Sequence, residues 1–322
     1  MTAPVAVVTG ASGQDGSYLT ERLLDDGYAV HALVRSAERA GAVATEGVTT
    51  HVVNLTEQRQ LRAVLDDVEP TEVYNLAGIS SVARSWSEPV VTAKVNGVAV
   101  VALLEAALDL QERLGRPVRV LQASSAEIFG EPATSPQTET TPIRPVSPYG
   151  AAKALAHHAA GVFRGRGLAA SSAILYNHES PRRPMTFVTR KITAGVAQIA
   201  VTGSGVLRLG NLDARRDWGW APDYVDAMLR AARHHTPDDY VVATGEAHSV
   251  RQFVAAAFEA AGIDDWQRHV EIDPDLFRPA DPSVLVGDAT HARTALGWSP
   301  TKDFTGLVAA MVDHDLSESR TP

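Results

Sequence analysis

Three glycines at equal spacing constrain this chain more than any other feature of its sequence. Gly10, Gly13 and Gly16 follow the apolar, β-rich run Val5–Thr9 and lead into a helical pattern that continues through Leu19–Leu24. A strand, a glycine turn and a helix in this order let a ligand approach the backbone closely and place a pyrophosphate at the helix N-terminus. The stretch therefore predicts a dinucleotide-binding site.

Further apolar runs alternate with longer helical patterns along the first half of the chain. The apolar runs are Ala29–Val34, His51–Leu55, Glu72–Ala77, Arg119–Ser124 and Ser172–Tyr176, and the helical patterns include Asn96–Leu110 and Pro148–Phe163. This alternation predicts an α/β fold with a Rossmann-type, doubly wound parallel sheet that binds its ligand at the carboxyl ends of the strands. We expect residues 1–176 to form the NADP-binding Rossmann domain and residues 177–322 a smaller C-terminal substrate-binding lobe, with segments crossing between the two.

Composition limits what such a chain binds. Its 322 residues carry 29 Lys+Arg against 38 Asp+Glu, a net charge of -9, which argues against binding the phosphate backbone of a nucleic acid. The absence of cysteine excludes disulfides, thiolate metal sites and cysteine nucleophiles, and we assign no metal site. The sequence starts without a basic leader, and we identify no apolar run long enough to span a bilayer. We therefore expect a cytoplasmic protein with no membrane partner.

The residue that follows the second predicted strand distinguishes the two common dinucleotides. An acidic residue at this point usually receives the 2′-hydroxyl of the adenosine ribose, whereas an arginine accommodates a 2′-phosphate. Here Ala29–Val34 is followed by Arg35 and then by Ser36. This pattern favours NADP over NAD as the cofactor.

Two short motifs supply side chains for chemistry. Tyr149 and Lys153, four residues apart at the start of a predicted helix, would share one face, and a lysine beside a phenol lowers the phenol pKa toward that of a general base. Ser125 and Glu127, two apart at the end of a predicted strand, would project to the same side. A carboxylate there could remove a proton next to a newly formed ketone and protonate a leaving hydroxyl, or it could simply bind a backbone amide.

Together these motifs resemble the extended short-chain dehydrogenase/reductase superfamily and, within it, the GDP-mannose 4,6-dehydratase family. The similarity covers almost the whole chain, from 13–18 (GQDGSY) to 296–300 (LGWSP). Its most specific parts are 177–183 (NHESPRR), 187–192 (FVTRKI) and 210–219 (GNLDARRDWG).

The chain departs from the family pattern at four positions. Ser125 stands where the family has threonine, Phe129 where it has tyrosine, and Ser81 where it commonly has histidine. Ser36 stands where the family has a second arginine after the second strand. Replacing threonine by serine is chemically mild, whereas the other three departures each remove a polar or charged group.

The resemblance implies a set of site residues. The implied catalytic residues are Ser125, Glu127, Tyr149 and Lys153. The implied cofactor-binding residues are Gly10, Gly13, Gln14, Asp15, Gly16, Arg35, Asn54, Leu55, Leu76, Ala77, Tyr149 and Lys153. The residues implied to hold the sugar, its diphosphate and its guanine are Ser81, Asn177, Val188, Lys191, Arg216 and Arg278. Arginine and lysine suit this role because they form charge-assisted bonds with phosphate.

The implied reaction converts GDP-mannose to GDP-4-keto-6-deoxymannose by internal hydride transfer. Tyr149 would take the proton of the 4-hydroxyl while hydride passes from C4 to NADP⁺, and Ser125 would hydrogen-bond O4. Glu127 would remove the C5 proton and protonate the departing 6-hydroxyl before the hydride returns at C6. The resemblance also implies a homo-oligomer, a dimer or a tetramer, with Asn96–Leu110 and Pro148–Phe163 as candidate pairing helices.

Three other functions remain open at this point. A dehydratase of another nucleotide sugar, such as a GDP-heptose, would differ only in a few side chains around C6. A nucleotide-sugar 4-reductase or 4-epimerase on the same scaffold needs Ser, Tyr and Lys but no carboxylate, so Glu127 argues against it. A non-catalytic NADP-binding sensor would be expected to lose Tyr149, Lys153 or Glu127, all of which are present.

Overall fold

A computed structural model describes residues 3–277 and 284–320 of the chain. Its strands are β1 (Val5–Thr9), β2 (Ala29–Val34), β3 (Val48–Val52), β4 (Glu72–Asn75), β5 (Arg119–Ala123), β6 (Ala170–Leu175), β7 (Asn177–Glu179), β8 (Leu207–Leu209), β9 (Arg215–Trp220), β10 (Asp239–Val242), β11 (Ala247–Ser249), β12 (Val270–Ile272) and β13 (Val284–Leu285). Its α-helices are α1 (Gln14–Asp25), α2 (Ala37–Val43), α3 (Gln58–Val68), α4 (Val82–Ser87), α5 (Pro89–Ala93), α6 (Ala99–Leu114), α7 (Pro148–Gly165), α8 (Val188–Thr202), α9 (Ala221–Arg233), α10 (Val250–Ala260), α11 (Thr290–Leu296) and α12 (Phe304–Arg320). A π-helical segment, Lys94–Val98, joins α5 to α6.

The central sheet has seven strands in the order β10-β6-β5-β4-β1-β2-β3. Every neighbouring pair in it is parallel. The strand order reverses between β1 and β4, and in sheets of this kind the crevice at such a reversal, on the carboxyl side, is where ligands bind. The predicted α/β fold with a doubly wound parallel sheet is confirmed.

Helices cover both faces of this sheet. On one face α1 and α9 contribute buried side chains such as Leu19 and Met228. On the other face α3, α6 and α7 contribute buried side chains such as Leu61, Leu104 and Ala156. Because β1, β2, β4, β5 and β6 are largely buried on both faces, they are mostly apolar, which is why their positions could be predicted from the sequence.

The smaller lobe has its own core and its own short strands. Strand β9 pairs with β7 and β13 in parallel and with β11 in antiparallel orientation, and β8 pairs with β12. Helices α8, α10 and α12 pack around a third apolar core that includes Phe253 and Met311. The chain returns from this lobe through α9 and β10, and β10 pairs with β6 at the edge of the central sheet.

Two predictions about single elements were wrong. The helical run Pro89–Leu114 is long and apolar enough to cross a membrane by length and composition, although no such run was expected. Its most apolar window is 56% buried and the run packs against α3 and α7, so within the fold it serves as a core helix. The third strand lies at Val48–Val52 instead of His51–Leu55, because this edge strand is only partly buried and has a weak apolar pattern.

Candidate active site at the carboxyl edge of the sheet

The glycine turn after β1 is shaped by close backbone packing. Gly10 has φ +73°, and a Cβ there would lie 2.9 Å from the backbone of Ala77; a Cβ on Gly16 would lie 2.2 Å from the Gly10 carbonyl oxygen. Helix α1 begins at Gln14, and its N-cap residue Gly13 makes no side-chain capping hydrogen bond. The N–H groups of the first turn therefore have no side-chain cap, as a site for a pyrophosphate requires.

Several residues assigned to the cofactor lie just beyond the ends of neighbouring strands. Arg35 directly follows β2, is exposed, and has no hydrogen bond or ion pair with any described residue. The Asn54 side chain forms a tight turn by accepting a hydrogen bond from the Thr56 N–H at 3.1 Å. Leu55 and Leu76 are half-buried just beyond β3 and β4. The sheet thus brings these residues to the same edge as the glycine turn.

The side chains of Gln14 and Asp15 reach across to the smaller lobe. Asp15 Oδ2 lies 2.9 Å from Nε2 of His178, and Gln14 Nε2 donates to the His178 carbonyl oxygen at 3.1 Å. Ser180 Oγ in turn donates to Gln14 Oε1 at 2.9 Å. Sequence analysis assigned Gln14 and Asp15 to the cofactor and did not predict these contacts. The only signal for them in the sequence is that residues 14–15 and residues 178–180 each belong to a motif of the family.

Ser125 and Glu127 lie in a tight turn instead of a strand. Strand β5 ends at Ala123, and Ser125 caps the 3₁₀ turn Ala126–Ile128, accepting a hydrogen bond from the Glu127 N–H at 3.3 Å. The alternation of strand residues was therefore the wrong argument for placing these two side chains together. Gly150 lets α7 start against this turn, since a Cβ at that glycine would lie 2.5 Å from the Glu127 carbonyl oxygen.

Tyr149 and Lys153 are both buried on the first turns of α7, with the Lys153 Nζ 6.0 Å from the centre of the phenol ring. Burial raises the pKa of Tyr149 to about 12; a hydrogen bond from Ser125 opposes this shift and the charge of Glu127 adds to it. Burial also lowers the pKa of Lys153 to about 8. The predicted lowering of the phenol pKa is wrong for this structure, because removing the phenol from water is the dominant effect.

A buried chain of hydrogen bonds connects the glycine turn to the lysine. Thr9 donates to Asn75 at 2.7 Å, Asn75 donates to Gln122 at 2.7 Å, and Gln122 donates to the Ala123 carbonyl oxygen at 2.8 Å. The same carbonyl accepts the hydrogen bond of the Lys153 ammonium at 2.8 Å. Sequence analysis missed this network, although a polar residue at the end of three apolar strands was a usable signal.

Two of the cations assigned to the substrate diphosphate lie in the smaller lobe. Lys191 is on α8, and its Nζ donates to the Arg208 carbonyl oxygen on β8 at 2.5 Å. Arg216 is on β9, is 6% exposed, and donates from Nη1 to the Arg215 carbonyl oxygen at 2.7 Å. Main-chain carbonyls thus hold both side chains in place.

The remaining substrate assignments are spread over three segments. Asn177 is half-buried as the first residue of β7, and Val188 is the first residue of α8. Ser81, on the other side of the cleft, caps α4 by accepting a hydrogen bond from the Arg84 N–H at 3.1 Å. Arg278 lies outside the described residues.

The groups available at this edge fit a dinucleotide. Across residues 3–277 and 284–320, no group of three or more His, Asp or Glu side chains is placed to hold a metal ion. The edge instead combines a glycine turn without a side-chain cap and a buried phenol, ammonium and hydroxyl from Tyr149, Lys153 and Ser125. Groups of this kind can bind phosphates at one point and transfer a proton of an alcohol at another.

Comparison with known proteins identifies the family. A family model described as GDP-mannose 4,6 dehydratase matches residues 7–311. GDP-mannose 4,6 dehydratase 1 of Arabidopsis thaliana is 45% identical, over 97% of this chain and 90% of the relative, and GDP-mannose 4,6 dehydratase of Homo sapiens is 41% identical, over 98% and 92%. A solved UDP-glucose 4-epimerase of Thermus thermophilus in complex with NAD has a TM-score of 0.85 at 30% identity, over 97% of this chain and 98% of that one. On these grounds the chain belongs to the GDP-mannose 4,6-dehydratase family.

Proposed function

We propose that this protein is an NADP-dependent GDP-mannose 4,6-dehydratase that converts GDP-mannose to GDP-4-keto-6-deoxymannose. The observation that carries the proposal is Glu127, which sits in the same turn as Ser125 and whose charge acts on the Tyr149 phenol. A carboxylate at this point supplies the acid and base that eliminate water, which a 4-epimerase or 4-reductase does not require. Membership of the dehydratase family supports the same reaction.

Each catalytic residue has a separate role in the reaction. Ser125 hydrogen-bonds O4 of the sugar, and Tyr149 removes the proton of the 4-hydroxyl, with the Lys153 charge stabilising the phenolate. A nicotinamide dinucleotide held at the glycine turn and beside Tyr149 and Lys153 would supply the redox chemistry, as hydride acceptor and donor. Glu127 removes the C5 proton, which the 4-keto group acidifies, and protonates the 6-hydroxyl so that it leaves as water.

Arg35 supports NADP as the particular nicotinamide dinucleotide. Its guanidinium is exposed at the carboxyl end of β2 and is unpaired among the described residues, so it is free to meet a 2′-phosphate. We expect Arg35→Ala to weaken NADP binding about tenfold relative to NAD. Calorimetric titration of the variant with both dinucleotides measures the ratio, and an unchanged ratio would contradict this assignment.

For the remaining site residues we adopt the roles that the family resemblance implies. Residues 1–176 form the cofactor domain and residues 177–322 the substrate lobe, from which α9 and β10 cross back to the central sheet. Gly10, Gly13 and Gly16 hold the cofactor pyrophosphate. The other cofactor contacts are Gln14, Asp15, Asn54, Leu55, Leu76 and Ala77, and the substrate contacts are Ser81, Asn177, Val188, Lys191, Arg216 and Arg278.

An exposed apolar face supports a homo-oligomer. The run Pro89–Leu114 and helix α7 pack side by side, and their outer surfaces expose Val90 (65%), Val162 (64%) and Leu155 (46%). Apolar side chains exposed on adjacent helices can form a protein interface, and a second copy of the chain would present the same helices. Light scattering is expected to give the mass of a dimer or tetramer, reduced to a monomer by Val90→Lys with Val162→Lys; a monomeric wild type would contradict the proposal.

We place the protein in the cytoplasm. Its apolar run Pro89–Leu114 is occupied by contacts with α3 and α7, and the net charge of -9 is unfavourable for nucleic acid. Fractionation of the source cells is expected to give enzyme in the soluble fraction, and enzyme retained by washed membranes would contradict this location.

The proposed reaction is tested by its isotope pattern. The protein is incubated with GDP-mannose and catalytic NADP⁺ in deuterium oxide, and the product is analysed by mass and NMR. The expected product is a 4-keto-6-deoxy sugar carrying deuterium at C5, formed without net reduction of the cofactor. Unchanged GDP-mannose would overturn the substrate assignment, and a 4-epimer that keeps its 6-hydroxyl would overturn the reaction type.

A further inference from the structure

We propose that Asp15 and His178 form a charged clasp that holds the cofactor helix α1 and the substrate strand β7 in one relative position during both hydride transfers. The clasp consists of Asp15 and His178, supported by Gln14 and Ser180. Gln14 and Asp15 are proposed above as cofactor contacts; in the clasp they act as positioning residues, through their bonds to β7. The inference rests on the proposed function, because it concerns where the sugar is held relative to the cofactor.

The clasp joins two segments that are far apart in the sequence. Asp15 lies in the first turn of α1, and His178 follows Asn177 on β7; their carboxylate oxygen and Nε2 are 2.9 Å apart. The side chains are 21% and 9% exposed. Gln14 Nε2 also donates to both sides of the clasp, at 3.0 Å to Asp15 Oδ1 and at 3.1 Å to the His178 carbonyl oxygen. Ser180 completes the set by donating to Gln14 Oε1.

The hydrogen-bond partners of His178 define its charge. Nδ1 lies 2.7 Å from the Tyr176 carbonyl oxygen, which only accepts, so Nδ1 carries a hydrogen. Nε2 faces the Asp15 carboxylate and carries the second hydrogen. His178 is therefore an imidazolium, and its ring stacks on Tyr224 with 4.6 Å between the ring centres.

Electrostatics agree with this assignment. Burial favours the neutral forms of both groups, but their mutual attraction outweighs it, so that the pKa of His178 is raised and the pKa of Asp15 is lowered. The other titratable groups that act on the pair or face it are Arg183, Tyr224, Lys153 and Tyr149. The clasp is fully charged between the lowered pKa of Asp15 and the raised pKa of His178.

The charge balance has a consequence for the cofactor site. A carboxylate in the first turn of α1 would repel a pyrophosphate bound at the same helix end, and the imidazolium cancels that charge locally. The geometry has a second consequence. Since β7 carries Asn177, any shift of β7 against α1 moves the sugar relative to the cofactor, and a misplacement of about 1 Å costs about 100-fold in rate.

A matched control exists between the same two segments. Glu21 on α1 pairs with Arg182, just after β7, at 2.9 Å, but these side chains are 58% and 39% exposed. An exposed pair of this kind contributes about 0–1 kcal/mol. Glu21→Gln therefore removes an ion pair across the same boundary without touching the buried clasp.

The first experiment measures whether the hydride removed from C4 of one sugar molecule returns to C6 of the same molecule. GDP-mannose deuterated at C4 is mixed with ¹³C-labelled, undeuterated GDP-mannose, and deuterium at C6 of the ¹³C product measures crossover between molecules. For Asp15→Asn and His178→Gln we expect kcat to fall at least tenfold, KM to change less than threefold, and crossover to appear. Glu21→Gln is expected to behave as wild type, and clasp variants with wild-type kcat and no crossover would overturn the inference.

The second experiment uses the cofactor-free protein and does not depend on turnover. Histidine ring ¹⁵N shifts are recorded against pH, with His178→Gln providing the assignment. We expect a doubly protonated His178 at pH 7 in the wild type and a titration moved to lower pH in Asp15→Asn. A neutral His178 at pH 7 would overturn the clasp, whereas a wild type that does not turn over GDP-mannose would instead overturn the proposed function.

Discussion

Charged side chains are buried at both ends of the central sheet, but their partners differ between the two ends. At the amino end Glu72 is 2% exposed and accepts hydrogen bonds from Tyr28 at 2.8 Å, from Tyr74 at 2.7 Å and from Arg233 at 3.2 Å. At the carboxyl end the Lys153 ammonium is 7% exposed and donates to a main-chain carbonyl. The buried Glu72 carboxylate is thus bound by an opposite charge and two hydroxyls, whereas the buried Lys153 ammonium is bound by an uncharged main-chain carbonyl.

The different partners lead to different protonation behaviour. At the amino end, burial and Glu72 raise the pKa of Tyr28 and Tyr74, and Asp26 and Glu72 raise that of Arg233 in spite of its burial, so each group stays in its usual form. At the carboxyl end burial brings the pKa of Lys153 down to about 8, close to neutral pH. A compensated cluster adds stability, whereas an uncompensated one supplies groups that change protonation during catalysis.

Glu127→Gln should show the largest effect on the functional end. We expect kcat to fall roughly 10²–10⁴-fold, because the variant lacks the base for C5 and the acid for the 6-hydroxyl. Urea unfolding should change by less than about 1 kcal/mol, since the residue is only half-buried. The exposed carboxylate of Glu112 provides the matched control, Glu112→Gln. Full activity in Glu127→Gln would mean that catalysis at the carboxyl end does not depend on this carboxylate, which would contradict the chemical distinction between the two ends.

Glu72→Gln should show the opposite pattern. Removing the carboxylate takes a charged acceptor from the hydroxyls of Tyr28 and Tyr74, while Arg233, 31% exposed, keeps its ion pair with Asp26. We expect a loss of about 1–3 kcal/mol in unfolding free energy with an unchanged kcat. Urea titration measures the loss, and Asp109→Asn, which breaks an exposed pair with Arg62, is expected to cost about 0–1 kcal/mol. Equal losses in the two variants would mean that burial does not distinguish these ion pairs.

Gly150→Ala tests how closely α7 is fitted to the catalytic turn. The added methyl group would lie 2.5 Å from the Glu127 carbonyl oxygen and 3.1 Å from Pro145. We expect a loss of about 1–3 kcal/mol in stability and about a tenfold lower kcat, because the turn and the helix must separate. Gly161→Ala on the same helix has no neighbour closer than 3.8 Å and should be neutral or stabilising by up to about 1 kcal/mol. Similar effects in both variants would contradict the close fit.

The pH dependence of stability isolates Lys153 and gives the smallest expected effect. Between pH 8 and the ordinary lysine value of 10.5, the unfolded chain binds a proton that the folded chain has released, so this group makes stability rise with pH. The slope is at most about 1.4 kcal/mol per pH unit. The difference between the unfolding free energies of wild type and Lys153→Met, followed from pH 7 to 10, measures it. Parallel curves would mean that Lys153 keeps its ordinary pKa.

Local sequence patterns were sufficient for the parts of the site that depend on neighbouring residues. The glycine turn was predictable because the positive φ of Gly10 and the contact of Gly16 with the Gly10 carbonyl both belong to one strand–turn–helix unit. Tyr149 and Lys153 were predictable as a pair because helical spacing alone places them on one face. The turn at Ser125 and Glu127 was misassigned, because a 3₁₀ turn directly after a strand has no period of its own to detect.

The parallel sheet, its ligand-binding edge and the family were determined by the sequence itself, because apolar runs, glycine spacing and motif residues are local properties. The tertiary structure alone decided which buried charges are compensated. Asp15 and His178 are 163 positions apart, and Glu72 and Arg233 are 161 apart, so their contacts follow from how the lobes and layers pack. The pKa shift of a buried group depends on the burial and partners that this packing creates, and a linear pattern of residues carries neither quantity.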